Sequence, residues 1–163
     1  RPTTDFAKEA LFNILHNTID FSELKVLDLF SGTGSIGFEF ASRGVNFIEM
    51  VEKSFLHHDF IKKTILELKL DNARVIKTDV FVYIKHIHQS FDLIFADPPY
   101  DLKGIEELPE KIITSEILKP EGWFIFEHPK RMNFSAHPDC FDERAYGGVH
   151  FSFFKKPALK MVK

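Results

Sequence analysis

The sequence predicts a single α/β domain with a mostly parallel seven-stranded sheet, helices on both faces and an antiparallel C-terminal hairpin. Two observations carry this prediction. Short apolar runs alternate with helix-period segments through most of the chain, which is typical of a doubly wound parallel sheet with right-handed crossovers. After residue 140, two β-rich runs flank Gly147-Gly148, and two residues able to adopt a positive φ between such runs indicate a hairpin. We expect one domain over residues 1–163.

Hydrophobic periodicity places the individual elements. The predicted strands are Lys25–Phe30, Phe47–Glu52, Arg74–Thr78, Phe91–Ala96, Trp123–Glu127, Phe141–Tyr146 and Val149–Phe154. The predicted helices cover residues 4–17, Gly34–Arg43, a segment capped by Ser54 with Phe55, Ile61, Ile65 and Leu68 on its inner face, Val80–Ile87, and Ile105–Leu118. Lys119-Pro120-Glu121-Gly122 is expected to form the turn before the fifth strand.

Composition narrows the class of protein. The chain has 44% hydrophobic and 28% charged residues, as in ordinary globular proteins, and its net charge of −3 gives no global electrostatic case for nucleic-acid binding. Cys140 is the only cysteine, which fits a reducing compartment. No signal peptide or apolar run of transmembrane length is visible, so we expect a cytoplasmic protein. Because the sequence begins with Arg1, we expect that an N-terminal extension is missing.

A glycine-rich segment follows the first predicted strand. Gly32–Gly37 reads G-x-G-x-x-G between a strand and a helix, and Glu52 stands 20 residues after Gly32, at the end of the next strand. This is the fingerprint of a nucleotide-containing cofactor, in which glycines allow close backbone approach and the carboxylate accepts from ribose hydroxyls. The alternative is that the glycines serve only tight strand–helix packing. The pattern fits NAD, FAD or S-adenosylmethionine (SAM).

Asp28 favours SAM among these cofactors. A carboxylate just before the glycine-rich segment would repel a pyrophosphate placed at the helix N-terminus, whereas it would attract a ligand that carries an ammonium and a sulfonium. The alternative role for Asp28 is to cap the following helix or loop. Asp79, after the third strand, could accept from an adenine amine or could cap the next helix.

Asp97-Pro98-Pro99-Tyr100, called the exit motif below, follows the fourth predicted strand. Two prolines cannot continue a central strand, so the chain leaves the sheet there. The tyrosine ring can stack on a flat base, while the carboxylate and a proline carbonyl can accept the N–H groups of its exocyclic amine. Such an amine is a poor nucleophile, and this arrangement would position it for attack on a methyl group. The alternative is a rigid loop with a solvated aspartate and a packed tyrosine.

Taken together, these segments resemble SAM-dependent methyltransferases that act on nucleobase amines. The resemblance rests on Leu27–Gly34, Glu52 and the exit motif, and the opening Arg1–Asp5 and Lys8–Asn13 narrow it to the RsmD-like group. The resemblance implies a Rossmann-like fold and methylation of the N2 amine of a guanine in small-subunit ribosomal RNA. It also implies that the substrate is this RNA or a 30S assembly particle, bound by a monomeric enzyme.

The resemblance also implies roles for individual residues. Catalysis is predicted for Asp97, Pro98, Pro99 and Tyr100. SAM binding is predicted for Asp28, Phe30, Gly32, Thr33, Gly34, Glu52, Asp79 and Val80. RNA contacts are predicted for Arg1, Thr3, Lys155 and Lys156, and no metal site is expected. Members of the family commonly carry a basic residue in place of Phe6 and a basic N-terminal hairpin, from which this sequence departs.

Three alternatives remain open at this point. The exit motif also suits adenine-N6 methylation of DNA or RNA, although no separate target-recognition domain is visible. An NAD(P)-dependent oxidoreductase could use the same glycine-rich segment, but it would leave Asp28 and the exit motif without a role. A non-catalytic RNA-binding module could have kept the fold.

Overall fold

The computed structural model describes residues 3–161, in which one seven-stranded sheet has the order β3-β2-β1-β4-β5-β7-β6. The strands are β1 (Lys25–Leu29), β2 (Phe47–Glu52), β3 (Ala73–Lys77), β4 (Phe91–Ala96), β5 (Leu118–His128), β6 (Cys140–Tyr146) and β7 (Val149–Lys155). The helices are α1 (Asp5–Thr18), α2 (Ser35–Ser42), α3 (Phe55–Glu67), α4 (Val80–His86) and α5 (Leu108–Ile113), with 3-10 turns at Phe21–Glu23 and Ile105–Glu107. The predicted fold class is confirmed, whereas the single-domain extent over residues 1–163 stays a prediction.

The direction of the strands brings the candidate residues to one edge of the sheet. Strands β1 to β5 are parallel, so their carboxyl ends meet at a common edge, called the carboxyl edge below. β7 is antiparallel to β5 and pairs His150 with His128, so the turn between β6 and β7 also lies at the carboxyl edge. Gly147 adopts a φ of 62° in this turn, as the predicted hairpin requires.

Two hydrophobic cores cover the two faces of the sheet. Helices α1, α2 and α3 pack on one face and α4 and α5 on the other. Phenylalanine dominates both cores, since nine of the twelve largest fully buried side chains are Phe. Burial of a Phe side chain stabilises the fold by about 1.5–3 kcal/mol, so these rings are a main source of the stability that holds the carboxyl edge in place.

The structure corrects the predicted helix over Ile105–Leu118. The segment forms a 3-10 turn and a short helix that ends at Ile113, and β5 already begins at Leu118. The ammonium of Lys156 donates to the backbone carbonyls of Ser115 and Leu118 at 2.6 and 2.9 Å. This distant side chain thus satisfies one carbonyl just after the helix and one at the start of β5.

Two further predictions were wrong. Lys119–Gly122 is not a turn before the fifth strand but an irregular part of β5, where the register to β4 shifts. The inner face of α3 contains Ile61, which is fully buried, but not Phe55 and Leu68, which are 65% and 59% exposed. The helix period alone did not fix which apolar residues face the sheet, because α3 carries apolar residues around most of its circumference.

Candidate functional site

The glycine-rich segment and the exit motif lie side by side at the carboxyl edge. β1 pairs with β4, and their last residues, Leu29 and Ala96, are register partners. β1 continues along the chain to β2 on one side, whereas β4 stands on its other side, so the strand order reverses between β1 and β4. Ligands of open α/β sheets bind in the crevice at such a reversal. The fold therefore brings together two motifs that are far apart in sequence, at the place where open α/β sheets bind their ligands.

The backbone of the glycine-rich segment adopts left-handed conformations. φ is 60° at Phe30, 58° at Gly32 and 87° at Gly34. Positive φ in a bulky residue such as Phe30 costs on the order of 1–3 kcal/mol, and such strain concentrates at functional sites. A Cβ added to Gly32 would meet no atom within 4 Å, so the space beside its backbone is open to a ligand.

Gly37 has a different role from Gly32. A Cβ on Gly37 would lie 2.3 Å from Sδ of Met50 and 3.3 Å from Oδ2 of Asp28. Met50 belongs to β2 and is fully buried, so it has little room to shift. The packing explanation that the sequence left open is therefore correct for the third glycine, whereas the first glycine faces open space.

Glu52 ties the glycine-rich segment to the end of β2. Its carboxylate accepts from the amide of Gly32 at 2.6 Å and from the amides of Lys53 and Ser54 at 3.1 Å each. Three backbone donors hold this side chain in one orientation at the carboxyl edge. A carboxylate can accept about four hydrogen bonds, so the predicted acceptance from ribose hydroxyls is stereochemically possible.

Asp28 is buried beneath the start of α2. Its side chain is 1% exposed, and Oδ2 has no hydrogen-bond partner among the described residues. Burial raises the pKa of Asp28 to about 8; polar groups of Ser31 and Gly37 oppose the shift and the charge of Glu52 adds to it. A buried carboxyl oxygen without a partner is costly, and a cationic ligand nearby would favour the ionised form of Asp28.

This raised pKa predicts a pH-dependent stability. Because the folded protein holds a proton on Asp28 up to about pH 8 and the unfolded chain releases it near pH 3.8, the free energy of unfolding should fall between these values as the pH rises. One such group contributes at most about 1.4 kcal/mol per pH unit. Asp28→Asn should lack this contribution.

Urea unfolding of wild type and Asp28→Asn at several pH values between about 5 and 8 measures the effect. The free energy of unfolding of Asp28→Asn relative to wild type should increase with pH. Both proteins contain the same histidines, so the contribution of histidine titration cancels in this difference. A constant difference would show that Asp28 titrates normally.

Asp79 and Val80 stand where β3 passes into α4. Oδ1 of Asp79 accepts from the amides of Phe81 and Val82 at 2.8 and 3.2 Å, so Asp79 is the N-cap of α4. Of the two roles the sequence left open, the structure therefore shows the capping role. Val80 is buried at the first position of the helix. Thr33 is exposed in the glycine-rich segment.

The exit motif is held by contacts from several parts of the chain. The hydroxyl of Thr3 lies 3.2 Å from Oδ2 of Asp97. The carbonyl of Pro99 accepts from the amide of Leu102 at 3.1 Å, which closes a turn directly after the prolines. Pro98 is buried, whereas Tyr100 is half-buried. The segment is therefore fixed by its own backbone and by the N-terminal residues.

Two charged residues beside the exit motif were missed by the sequence reasoning. Glu127, fully buried near the end of β5, has Oε1 2.6 Å from the Thr3 hydroxyl, which has a single proton to share between Glu127 and Asp97. Arg131 donates to the carbonyl of Tyr100 at 2.6 Å. Glu127 could have been found from the sequence, because a charged residue at the end of the apolar run of β5 is unusual in a buried strand. Nothing in the sequence marked Arg131.

The structure does not bring all predicted RNA contacts together. Thr3 lies at the carboxyl edge beside Asp97. Lys155 is the last residue of β7 and pairs with Trp123, which is in register with Leu93 near the start of β4, so Lys155 lies toward the opposite edge. The ammonium of Lys156 is engaged by two carbonyls. The predicted RNA contacts of these two lysines would therefore lie away from Asp97, and they stay a prediction. Arg1 lies outside the described residues.

The residues at the carboxyl edge fit SAM. The partnerless carboxyl oxygen of Asp28 and the open backbone at Gly32 suit a cationic ligand that approaches the main chain closely, and Glu52 offers carboxylate acceptors. Within residues 3–161, no group of three or more His, Cys, Asp or Glu side chains is placed to hold a metal ion.

The fold recurs in solved methyltransferases. The chain superimposes with a TM-score of 0.85 on yhhF of Escherichia coli, a candidate methyltransferase, at 26% identity over 98% of this chain and 89% of that one. Coclaurine N-methyltransferase, solved with the SAM product S-adenosylhomocysteine, gives a TM-score of 0.61 over 78% of this chain and 37% of its own, and at 23% identity shows the fold alone. Fold and site together define a Rossmann-like, SAM-dependent methyltransferase.

The family is equally clear. The chain belongs to the conserved hypothetical protein 95 family, the RsmD-like group, whose model matches residues 1–155. A curated relative from Buchnera aphidicola, ribosomal RNA small subunit methyltransferase D, is 31% identical over 136 residues, which cover 82% of this chain and 67% of the relative. The predicted resemblance is confirmed. In the described part of the chain, no helix is long and apolar enough to cross a membrane.

Proposed function

We propose that this protein transfers a methyl group from SAM to the N2 amine of a guanine in small-subunit ribosomal RNA. One observation carries the proposal: Asp97 follows β4 at the point where the neighbouring β1 leads into the glycine-rich segment. The proposed amine-binding motif and the proposed cofactor-binding segment thus follow adjacent strand ends. The name of the curated relatives, ribosomal RNA small subunit methyltransferase D, supports ribosomal RNA as the substrate class.

In this proposal the exit motif binds and orients the amine. The Asp97 carboxylate and the Pro98 carbonyl accept its two N–H groups, which favours a pyramidal nitrogen with its lone pair directed away from the base. Tyr100 stacks on the base, a contact worth about 1–3 kcal/mol. SAM, when bound, supplies an electrophilic methyl group. The amine becomes acidic once methylated, so its proton can pass to Asp97 or to water without a strong base.

In this proposal Thr3 is a positioning residue. Its hydroxyl lies between the carboxylates of Asp97 and Glu127, which are carried by the neighbouring strands β4 and β5. A bridge of this kind fixes the rotamer of Asp97 before the substrate arrives, which lowers the entropic cost of positioning the amine. Thr3 thus acts through Asp97 rather than through a direct contact with RNA.

The substrate is proposed to be the 30S assembly particle or its RNA, and the enzyme a cytoplasmic monomer. The guanine would have to be unstacked to reach the crevice. Adenine-N6 methylation remains the second candidate, because Asp97–Tyr100 would hold either base. The methyltransferase relatives favour SAM over a nicotinamide cofactor, and the buried carboxyl group of Asp28 suits a cationic ligand.

A single-turnover assay tests the proposed function. Undermodified small ribosomal subunits are incubated with the protein and methyl-labelled SAM, and the RNA is digested for nucleoside mass analysis. Large subunits serve as the control substrate. We expect label in N2-methylguanosine from small subunits only. Label in N6-methyladenosine would show that the methylated base is adenine rather than guanine. SAM binding without any incorporated label would support a non-catalytic module.

A further inference from the structure

An aromatic pair, exposed at Phe6 and partly buried at Tyr146, lies at the carboxyl edge beside the exit motif. Phe6, in the first turn of α1, is 67% exposed, and its ring centroid is 5.9 Å from that of Tyr146 in an edge-to-face arrangement. Tyr146 is the last residue of β6, at the turn on the carboxyl edge. Phe6 follows Thr3, which contacts Asp97, by three residues. Both rings are therefore near the proposed methyl acceptor.

The pair is anchored to the core rather than loosely attached. The ring of Tyr146 packs on Phe151 at 6.1 Å, and Phe151 packs on Phe95 at 6.4 Å. Phe151 and Phe95 are each 1% exposed, and Phe95 lies in β4 two residues before Asp97. A continuous series of rings thus connects the exposed face of Phe6 to the strand that carries the exit motif. Such an anchored ring loses little conformational entropy when a ligand stacks on it.

The charges around the pair favour contact with a base over contact with a phosphate. Asp5 and Glu9 flank Phe6 on α1 and are exposed, so they repel phosphate at this position. Cationic groups lie further along the same edge: Lys8 donates to Ser35 at the start of α2, and Arg131 donates to the Tyr100 carbonyl. A nucleic-acid strand whose phosphates follow the cations would turn a base toward the rings.

We propose that Phe6, supported by Tyr146, is a stacking platform for an unpaired nucleobase of the RNA next to the base that enters the exit motif. This inference rests on the proposed function. Stacking is independent of sequence because every base has a flat face, so the platform would hold the strand open after the target base has been unstacked. A neighbouring base held at Phe6 would offset part of the cost of unstacking the target.

Variants of Phe6 test this platform. The dissociation constant for small-subunit RNA is measured for wild type, Phe6→Ala, Phe6→Leu and Phe6→Trp at about 50 and 200 mM salt. Phe141→Ala is the matched control, since Phe141 is 49% exposed and packs on Trp123 at 4.9 Å, but lies near the start of β6, at the end of the strand opposite Tyr146. SAM affinity and thermal unfolding of every variant verify that the fold and the cofactor site are intact.

We expect Phe6→Ala and Phe6→Leu to weaken RNA binding about tenfold, and Phe6→Trp to retain it. Because stacking releases no counterions, the loss should be the same at both salt concentrations, whereas a variant that removes a phosphate-binding cation would lower the salt dependence. SAM affinity should not change.

Equal RNA affinity of Phe6→Ala and Phe141→Ala would overturn the platform, as would full retention by Phe6→Leu, which would indicate a merely apolar contact. The proposed stacking platform and the proposed methylation reaction can be refuted independently of each other. If wild type methylates guanine and Phe6→Ala binds RNA normally, only the platform is wrong. If wild type binds RNA without methylating it and Phe6→Ala weakens binding, only the proposed reaction is wrong.

Discussion

Asp97→Ala is expected to lower the rate of methyl transfer by about 10³-fold, equivalent to about 4 kcal/mol of transition-state stabilisation. The carboxylate is proposed to accept an N–H group of the amine while charge develops on the nitrogen, so its loss acts on the reacting state more than on ground-state binding. SAM affinity should stay within about threefold of wild type, because the cofactor contacts are proposed for the ends of β1 and β2.

Single-turnover rates and calorimetric SAM binding measure the two effects separately. Asp97→Asn should be impaired less than Asp97→Ala, since it keeps one oxygen acceptor. Asp101→Ala is the matched control, because Asp101 is exposed and directly follows the exit motif. Equal losses of rate and SAM affinity in Asp97→Ala would place Asp97 in the cofactor site instead.

Glu52→Ala should have the largest effect on the cofactor, with a loss of SAM affinity of about 100-fold. The carboxylate holds the amide of Gly32 at 2.6 Å and is the proposed acceptor for the ribose, so the variant loses both the anchored loop and the ligand contact. Hydrogen bonds to charged groups contribute about 1.5–3 kcal/mol each, which is the basis of this magnitude.

Calorimetry with SAM measures the effect, and Glu67→Ala is the control, since Glu67 is an exposed carboxylate and the last residue of α3, away from the carboxyl edge where α3 begins. RNA affinity in the absence of SAM should be unchanged in Glu52→Ala. Unaltered SAM affinity would mean that Glu52 only shapes the backbone between β2 and α3.

The sequence predicted the strands well because buried parallel strands have a strong local signal. β2 and β4 have the predicted bounds, and the hairpin at Gly147 lies where its turn residues indicate. The glycine-rich segment and the exit motif were also predictable, because each depends on a few adjacent residues whose backbone preferences are intrinsic. Their common edge followed from the rule for parallel strands.

Contacts between distant residues could not be predicted in the same way. The carbonyls of Ser115 and Leu118, after the end of α5, are bonded by Lys156, about 40 residues further along the chain. The position of Lys155 depends on its pairing with Trp123, which moves it to the edge opposite Asp97. The bridge from Thr3 to Asp97 and Glu127 joins residues from three parts of the chain. No local pattern encodes such contacts, since they arise only when the sheet is assembled.

The sequence by itself indicated a SAM-dependent methyltransferase, because Gly32–Gly37, Glu52 and Asp97–Tyr100 each have local backbone or charge properties that suit the cofactor or the proposed amine. Only the tertiary structure decided which other residues contact these segments and how deeply their side chains are buried. It buried Asp28 so that its pKa rises to about 8. It placed Glu127 and Thr3 beside Asp97, and it set Phe6 against Tyr146 at the same edge. Burial and proximity are properties of the packed chain, and they depend on strand order rather than on sequence separation.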